Sequence, residues 1–445
     1  MLSMPRIFKT WWPLAASWLL MGAELPVLSA VVARLPNPEI NLAAYGGVVF
    51  PLALIIESPI IMLLAASTAL SKDWDSYRKI RRFMMAAGAA LTALHILIVF
   101  TPLYYVVVEQ ILGAPAVIVQ PARIGLMIMT PWTWAIAYRR FNQGVLIRFG
   151  RSQTIGVGTV VRLTADGLVL AVGYSIGSIP GIVVAACAVA TGVVSEAIYV
   201  GWVVRPVLHG ELRQAPPVDP PLTLRAFLTF YIPLAMTSLF VLLSNPIGSA
   251  AISRMPEALD SLAAWTVVAG LIFMFRSMGI AFNEVVVALL DEPRSSSNLQ
   301  RFTGILALAG TAIILLVVAT PLSGLWFERV SALPPHLANM ARLGLWIALP
   351  LPALTVIQSW FQGAILHGRR TRGITEAVVI YLATSALILM GGVIWGGMIG
   401  LYVGLVALVG STLTQTAWLW LRSRPAVHQV LERDQVLLNV EGVAD

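Results

Sequence analysis

A few ionisable residues stand where so apolar a chain should carry none. Glu24, Glu57, His95, Arg162, Asp166 and Glu196 interrupt apolar runs in the first half of the sequence, and Arg276, Glu284 and Glu376 do so in the second. An ionisable group at the centre of a bilayer costs about 3 kcal/mol or more, so such groups face protein or a wet cavity and mark ion or substrate paths. A carboxylate held there trades a proton or meets a cation. Glu24, Asp166 and Glu196 are the carboxylates expected to build such a site. Glu24 adjoins Pro26 and has no partner nearby in sequence. Arg162 and Asp166 are four residues apart, one helical turn, so mutual neutralisation competes with a functional role. His95 is expected to be a hydrogen-bonded packing residue rather than a proton relay.

The elements that carry these groups follow from composition. Of 445 residues, 58% are hydrophobic and 11% are charged, and the apolar residues come in long runs between short charged connections. Runs of about 20 apolar residues are membrane helices. The expectation is an all-α polytopic membrane protein of twelve spans, near 1–33, 41–69, 83–106, 121–139, 153–176 and 180–204, then 225–252, 261–290, 302–326, 338–366, 373–396 and 398–421. Residues 1–204 form one six-helix lobe and 223–422 the other. The proline-rich stretch 205–222 reads as a cytoplasmic linker and 423–445 as a cytoplasmic tail.

The halves are copies. Ala122-Arg123-Ile124-Gly125-Leu126 returns as Ala341-Arg342-Leu343-Gly344-Leu345, and Pro131 as Pro350, at an offset of 219. Phe141, Gln143-Gly144 and Gly150-Arg151 return as Phe361, Gln362-Gly363 and Gly368-Arg369. Pro13, Pro26, Ser29 and Arg34-Leu-Pro36 return as Pro233, Pro246, Ser249 and Arg254-Met-Pro256 at an offset of 220. Residues 1–33 have the outline of a cleaved signal, but a segment with an internal twin is a span. Six is an even number, so both halves enter from one side, related by a pseudo-twofold along the membrane normal. Two such bundles enclose a central cleft.

The net charge of +8 sets topology rather than recruiting nucleic acid. Of 29 Lys and Arg, 22 fall in the amino terminus, the even-numbered connections and the carboxy terminus. That bias places both termini in the cytoplasm of a multi-pass plasma (inner) membrane protein. On the opposite side Arg123 and Arg342 are expected to anchor helix starts. Cys187 is the single cysteine, which excludes an internal disulfide and a multi-cysteine metal centre. No metal site and no cofactor is expected beyond a coupling ion, H+ or Na+, and the chain is expected to act as a monomer.

The repeat also sharpens the candidate list. The counterparts of Glu24, Arg162, Asp166 and Glu196 are Ser244, Tyr381, Ser385 and Gln415, so charge is concentrated in the first copy. Glu57 and Arg276 are equivalent positions and would face the cleft, as a gate pair or each in water. Pro26 and Pro246 lie deep in their spans, where proline frees a carbonyl and bends a helix. Static bending competes with a hinge, and Ser244 or Asn245 can satisfy the carbonyl freed by Pro246. Asn245 is also expected, with Glu24, Glu57, Arg162, Asp166, Glu196 and Arg276, among the groups that meet substrate or ion in the cleft. The Gln143-Gly144 and Gln362-Gly363 steps are read as helix ends near the cytoplasm. Trp132, Trp134, Trp346 and Trp360 are candidates to line the cleft.

Two six-helix halves, a proline-kinked first helix in each and a Gln-Gly step ending the fourth resemble the multidrug/oligosaccharidyl-lipid/polysaccharide (MOP) flippase superfamily. Phe230-Tyr-Ile-Pro233, Ser244-Asn-Pro246-Ile247 and the Arg342…Pro350 spacing are similar to its progressive ankylosis transporter group. The multidrug and toxic-compound extrusion (MATE) branch is the other near neighbour. The resemblance covers roughly residues 10–422. It implies export driven by a proton or sodium gradient through a V-shaped pair of lobes. It also implies coupling by an acidic group beside the bending proline of the first helix, where this chain has Glu24 in place of the more usual Asp. Ankylosis-type members are associated with efflux of anionic metabolites, and lipid-flipping members use cleft arginines for phosphates; Arg276 suits either, as does Arg162 if Asp166 leaves it free.

The leading expectation is therefore a cation-coupled exporter of small organic solutes, with a lipid-linked oligosaccharide or polysaccharide flippase as the alternative. A major-facilitator carrier shares the twelve-helix plan, but its glycine- and aspartate-containing basic signature is absent from 71–82. A polytopic membrane enzyme ranks last. The longest outer connection, 106–120, carries Glu109 as its sole charge, and no phosphate loop, metal-ligand motif or nucleophile–base pair is present.

Overall fold

The computed structural model describes residues 2–290, 292, 295–367 and 372–441, with side chains as far as Asp434. The described residues are helical throughout, without strands. The helices are α1 (Met4–Gly22), α2 (Glu24–Val32), α3 (Pro38–Ala44), α4 (Phe50–Ile61), α5 (Leu63–Leu70) and α6 (Trp74–Phe100). Next come α7 (Ala116–Ile128), α8 (Thr130–Arg148), α9 (Gln153–Ile176), α10 (Gly181–Val203) and α11 (Leu224–Ile252). The last are α12 (Ala258–Leu289), α13 (Ser295–Ala319), α14 (Pro335–Ile347), α15 (Leu351–His367), α16 (Arg372–Trp395) and α17 (Gly400–Glu441). Among the described residues ten helices or continuous helical runs, such as Met4–Val32 and Pro38–Leu70, are long and apolar enough to cross a bilayer, or eleven when α14 and α15, bent by 42°, count as one span. The chain is a multi-pass membrane protein.

Element bounds repeat as the sequence does. α9 and α16 share both bounds at an offset of 219, and so do α7 and α14. One-turn π segments at Val106–Ile111 and Leu325–Val330 share the same offset. Left-handed backbone recurs in step, at Asn37 and Glu257, Gly113 and Ala332, and Gly177 and Gly396. Gly368, Arg369 and Arg370 lie outside the described residues.

Proline explains the broken spans. The fourth span was expected as one helix over 121–139, but it parts at Met129 into α7 and α8 because Pro131 has no N–H for the turn before it. Thr130 Oγ1 takes up the Met127 carbonyl at 2.7 Å. His95, fully buried on α6, donates from Nε2 to the Leu126 carbonyl at 2.9 Å. Pro350 parts α14 from α15 in the same way. α11, by contrast, runs unbroken through Pro233 and Pro246.

Contacts divide the chain into two compact units, residues 1–30 with 264–445 and residues 31–263. This differs from lobes 1–204 and 223–422, because packing exchanges the leading helix of each half. In the first unit Leu2, Ile7, Trp11 and Ala15 join the apolar core of α12, α13 and α15. Trp11 Nε1 donates to the Met278 carbonyl at 3.0 Å, and Arg6 pairs with Glu292 at 2.6 Å. Gly22 lets α1 close on α12, for a Cβ there would stand 3.1 Å from Met274 Cα. In the second unit the Tyr231 hydroxyl of α11 donates to the Pro59 carbonyl of α4, and Phe83 of α6 packs edge-on to Phe227 and Tyr231.

The expected linker and tail are docked segments. In the second unit Asp73 caps α6 through Ser76 N–H at 2.9 Å and accepts Val218 N–H at 3.0 Å, while Lys79 reaches the Leu222 carbonyl. Arg213 lies over the Trp74 ring, and Arg151 pairs with Glu211. In the first unit α17 continues past Arg422 without a break. Its Asp434 accepts from Ser296 N–H and Oγ at 3.0 and 2.6 Å, and Arg433 holds the Leu290 and Glu292 carbonyls. Each half therefore ties its trailing segment to the start of its own third span.

Candidate functional site

In the second unit, α8 presents Trp132, Arg139 and Gln143 at spacings of seven and four, which is one helical face. That face meets two carboxylates. Trp132 Nε1 donates to Glu57 of α4. Arg139 forms an ion pair with Glu196 of α10, and Gln143 Nε2 donates to the other Glu196 oxygen at 2.9 Å. Glu57 and Arg139 are each 4% exposed, and Glu196 and Gln143 1%. Burial of this depth requires charges to be satisfied: Arg139 and Glu196 pair with each other, and Glu57 accepts the Trp132 indole N–H.

Asp166 is the exception. It is 4% exposed on α9, and neither of its carboxylate oxygens accepts a hydrogen bond among the described residues. Its nearest cation is Arg162 Nε, one turn away at 3.9 Å, the far limit of an ion pair. Gly192 of α10 makes room for it, since a Cβ at that position would overlap the carboxylate. Glu196 stands one turn along α10, and it and the buried Tyr45 hydroxyl, itself without a hydrogen bond, lie within electrostatic range of Asp166. A carboxylate so deprived of donors inside membrane helices is costly to keep charged.

The first unit holds a different site. A cavity of about 450 Å³ is lined by Trp18 of α1, Arg276 and Glu284 of α12, and Thr355, Gln358 and Gln362 of α15, with others. Arg276 Nε donates to Thr355 Oγ1 at 2.7 Å. Gln358 Nε2 donates to the Thr412 carbonyl, Gln415 Oε1 and Thr416 Oγ1 at 3.1, 3.2 and 2.9 Å. Hydrogen bonds to α17 thus fix one wall.

The structure sorts the residues singled out from sequence. Of the three carboxylates expected to share a site, Asp166 and Glu196 lie near each other, with Arg162 beside Asp166. Glu24, half-buried beside the break at Ala23, belongs to the first unit, where Pro26 packs on α12 at Gly270. Glu57 and Arg276 each find a partner in their own unit, Trp132 and Thr355. Asn245 Nδ2 donates to the Leu242 carbonyl at 3.3 Å, the group that Pro246 frees, and so serves its own helix. The Gln143-Gly144 and Gln362-Gly363 steps are not helix ends, since α8 and α15 run on to Arg148 and His367. They are points of closest helix approach, with Gly144 against Leu64 and Ser67 and Gly363 against Val286. Arg123 bonds the Val99 carbonyl and the Tyr105 hydroxyl at 2.9 Å each.

Arg139 was missed by sequence reasoning. It was counted among the cytoplasmic charges, yet it is the buried partner of Glu196. Its spacing from Trp132 and Gln143 was the available signal. Tyr45 carried no sequence signal of its own. It opens the one-turn π segment Tyr45–Val49, an irregularity frequent at functional sites.

No protein-family model and no curated protein matches this sequence. Solved structures do. A multidrug resistance MATE-family transporter of the MOP superfamily, inward-facing, aligns with a TM-score of 0.68 at 15% identity over 92% of this chain and 96% of its own. The lipid II flippase MurJ in an inward closed conformation gives 0.71 at 13% identity over 97% and 93%. The MATE transporter VcmN of Vibrio cholerae in its bent form gives 0.59 at 17% identity over 97% and 98%. This chain has the fold of the MOP-superfamily transporters.

Proposed function

We propose that this protein is a secondary active transporter that exports small organic solutes by alternating access, coupled to H+ or Na+. The observation that carries the reading is Asp166, buried among membrane helices with neither oxygen hydrogen-bonded. Desolvation opposes its charge, and Arg162 at 3.9 Å neutralises it incompletely. A site of that kind holds its ion in one conformation and releases it to water in another. Glu196 is held by Arg139 and Gln143, so Asp166 is the member free to exchange. Glu24 is the second coupling carboxylate, beside the α1–α2 break, with Pro26 as the hinge. The repeating element bounds support twelve spans in two six-helix repeats about a pseudo-twofold, each half's broken fourth span counted as one. The charge bias supports both termini in the cytoplasm of the inner membrane. In this reading the protein works as a monomer and carries its cargo without chemical change.

Proteoliposomes loaded with a panel of organic anions, cations and zwitterions test this. An imposed pH or sodium gradient should drive efflux of at least one of them, and Asp166→Asn and Glu24→Gln should each remove the gradient dependence. Efflux indifferent to both gradients, or unaltered in Asp166→Asn, would end the coupling reading.

A second reading has its own support. Arg276 faces a cavity with its guanidinium, which suits the phosphate of a lipid-linked molecule, and one similar structure is a lipid II flippase. Translocation of a fluorescent polyprenyl-phosphate in the same vesicles, sensitive to Arg276→Gln, would favour it.

A further inference from the structure

We infer that the unit formed by residues 1–30 and 264–445 carries a pocket for a zwitterionic, amide-bearing solute of short-peptide size. The inference rests on the transporter reading only in making this solute the cargo; the pocket itself is argued from its walls. Arg276 and Glu284 line the same cavity of about 450 Å³, within the range that encloses small organic ligands. They are eight residues apart on α12, about 12 Å along the axis at 1.5 Å per residue. Arg162 and Asp166, one turn apart, neutralise each other in part; Arg276 and Glu284 are too far apart to do so, and no ion pair joins either to another described residue.

The bonding of the walls leaves both charges available. The Arg276 guanidinium spends only Nε, on Thr355, and its two terminal amino groups make no hydrogen bond among the described residues. Between the charged ends lie Asn283, Gln358, Ser359 and Gln362. Gln362 accepts from Asn283 at 3.4 Å and keeps its own N–H donors, while Gln358 spends its donors on α17 and keeps its carbonyl oxygen. An amide wall with one free donor and one free acceptor matches an amide backbone. A simple anion would leave Glu284 without a counter-charge, and a simple cation would leave Arg276 without one. A solute with a carboxylate for Arg276, an ammonium for Glu284 and amides between satisfies all of them.

Calorimetric titration of the full chain in lipid nanodiscs decides the matter, with trialanine, N-acetyl-trialanine, trialanine amide and succinate as probes. Trialanine should bind, and each blocked peptide and succinate should bind about tenfold or more weakly. Arg276→Gln should no longer tell trialanine from its amide, and Glu284→Gln should no longer tell it from the acetylated form. The blocked peptides make the same comparison on the unaltered protein, so a variant that fails to fold does not stall the test. Absent trialanine binding, equal binding of the blocked forms, or succinate binding as tightly would each overturn the assignment. No gradient is used, so failure here with gradient-driven efflux intact removes this ligand class and leaves the transporter standing.

Discussion

Glu196 and Arg139 hold each other where water cannot, with side chains 2% and 5% exposed. Deleting one partner of such a pair strands the other charge, at a cost of about 3–5 kcal/mol. Arg139→Gln should therefore lower the thermal unfolding midpoint sharply in detergent, and adding Glu196→Gln should recover part of the loss. A double variant no better than the single would show that the pairing is not what matters. Asp73 gives the pH dependence. Burial alone would raise its pKa, but hydrogen bonds from the Ser76 side chain and the Val218 and Ser76 backbone N–H groups outweigh that and hold it below the usual carboxylate range. Its folded value is depressed, so its contribution is whole above the unfolded value of about 3.9 and is lost as pH falls through the folded one. The midpoints of wild type and Asp73→Asn should differ at pH 7 and converge under acid; a gap that is constant with pH would contradict this.

At the scale of elements, close approach between helices takes the place of the hydrophobic drive that lipid removes. Gly144 brings α8 onto α5 so tightly that a Cβ would stand 2.7 Å from Ser67 Cβ and 2.9 Å from Thr68 N. Gly144→Ala should destabilise by about 1–3 kcal/mol through overpacking, read as a lower midpoint; an unchanged midpoint would mean that α8 shifts at no cost. The repeat predicts a stabilising change too. Ala332 holds φ of 50° where its counterpart Gly113 holds 68°. Left-handed backbone costs an L-residue about 1–2 kcal/mol, so Ala332→Gly should raise the midpoint, whereas Gly113→Ala should lower it.

Across the whole molecule, the exchange of leading helices is the feature with the widest reach. Residues 1–30 belong to the core built by 264–445, through Trp11, Ile7 and the Arg6–Glu292 pair. Protease sites placed in both the 34–37 and the 253–257 connections test it. After cleavage and mild dissociation, the amino-terminal fragment should remain with a carboxy-terminal fragment beginning near 264. Retention with 31–263 instead would reject the exchange. Docking of α17 makes a parallel demand: truncation after Arg422 removes Val430 and Asp434 from that unit and should lower its stability, where a free tail would be dispensable.

Hydropathy runs, the 219–220 repeat and charge placement made the helical membrane architecture and the MOP resemblance legible, because a bilayer imposes length and apolarity on each span separately. The same local logic anticipated His95 as a packing residue and left Ser244 and Asn245 as alternatives for the carbonyl freed at Pro246, of which the structure shows Asn245. It also drew the lobe boundaries at the linker, because adjacency along a chain is all that a sequence displays. Which helix packs on which depends on contacts between residues more than 170 positions apart, such as Trp11 with Met278 and Tyr231 with Pro59. For that reason Arg139 read as a surface charge until α10 brought Glu196 to it. Asp166 became distinctive only when folding closed α10 over it at Gly192 and left both its oxygens without a donor.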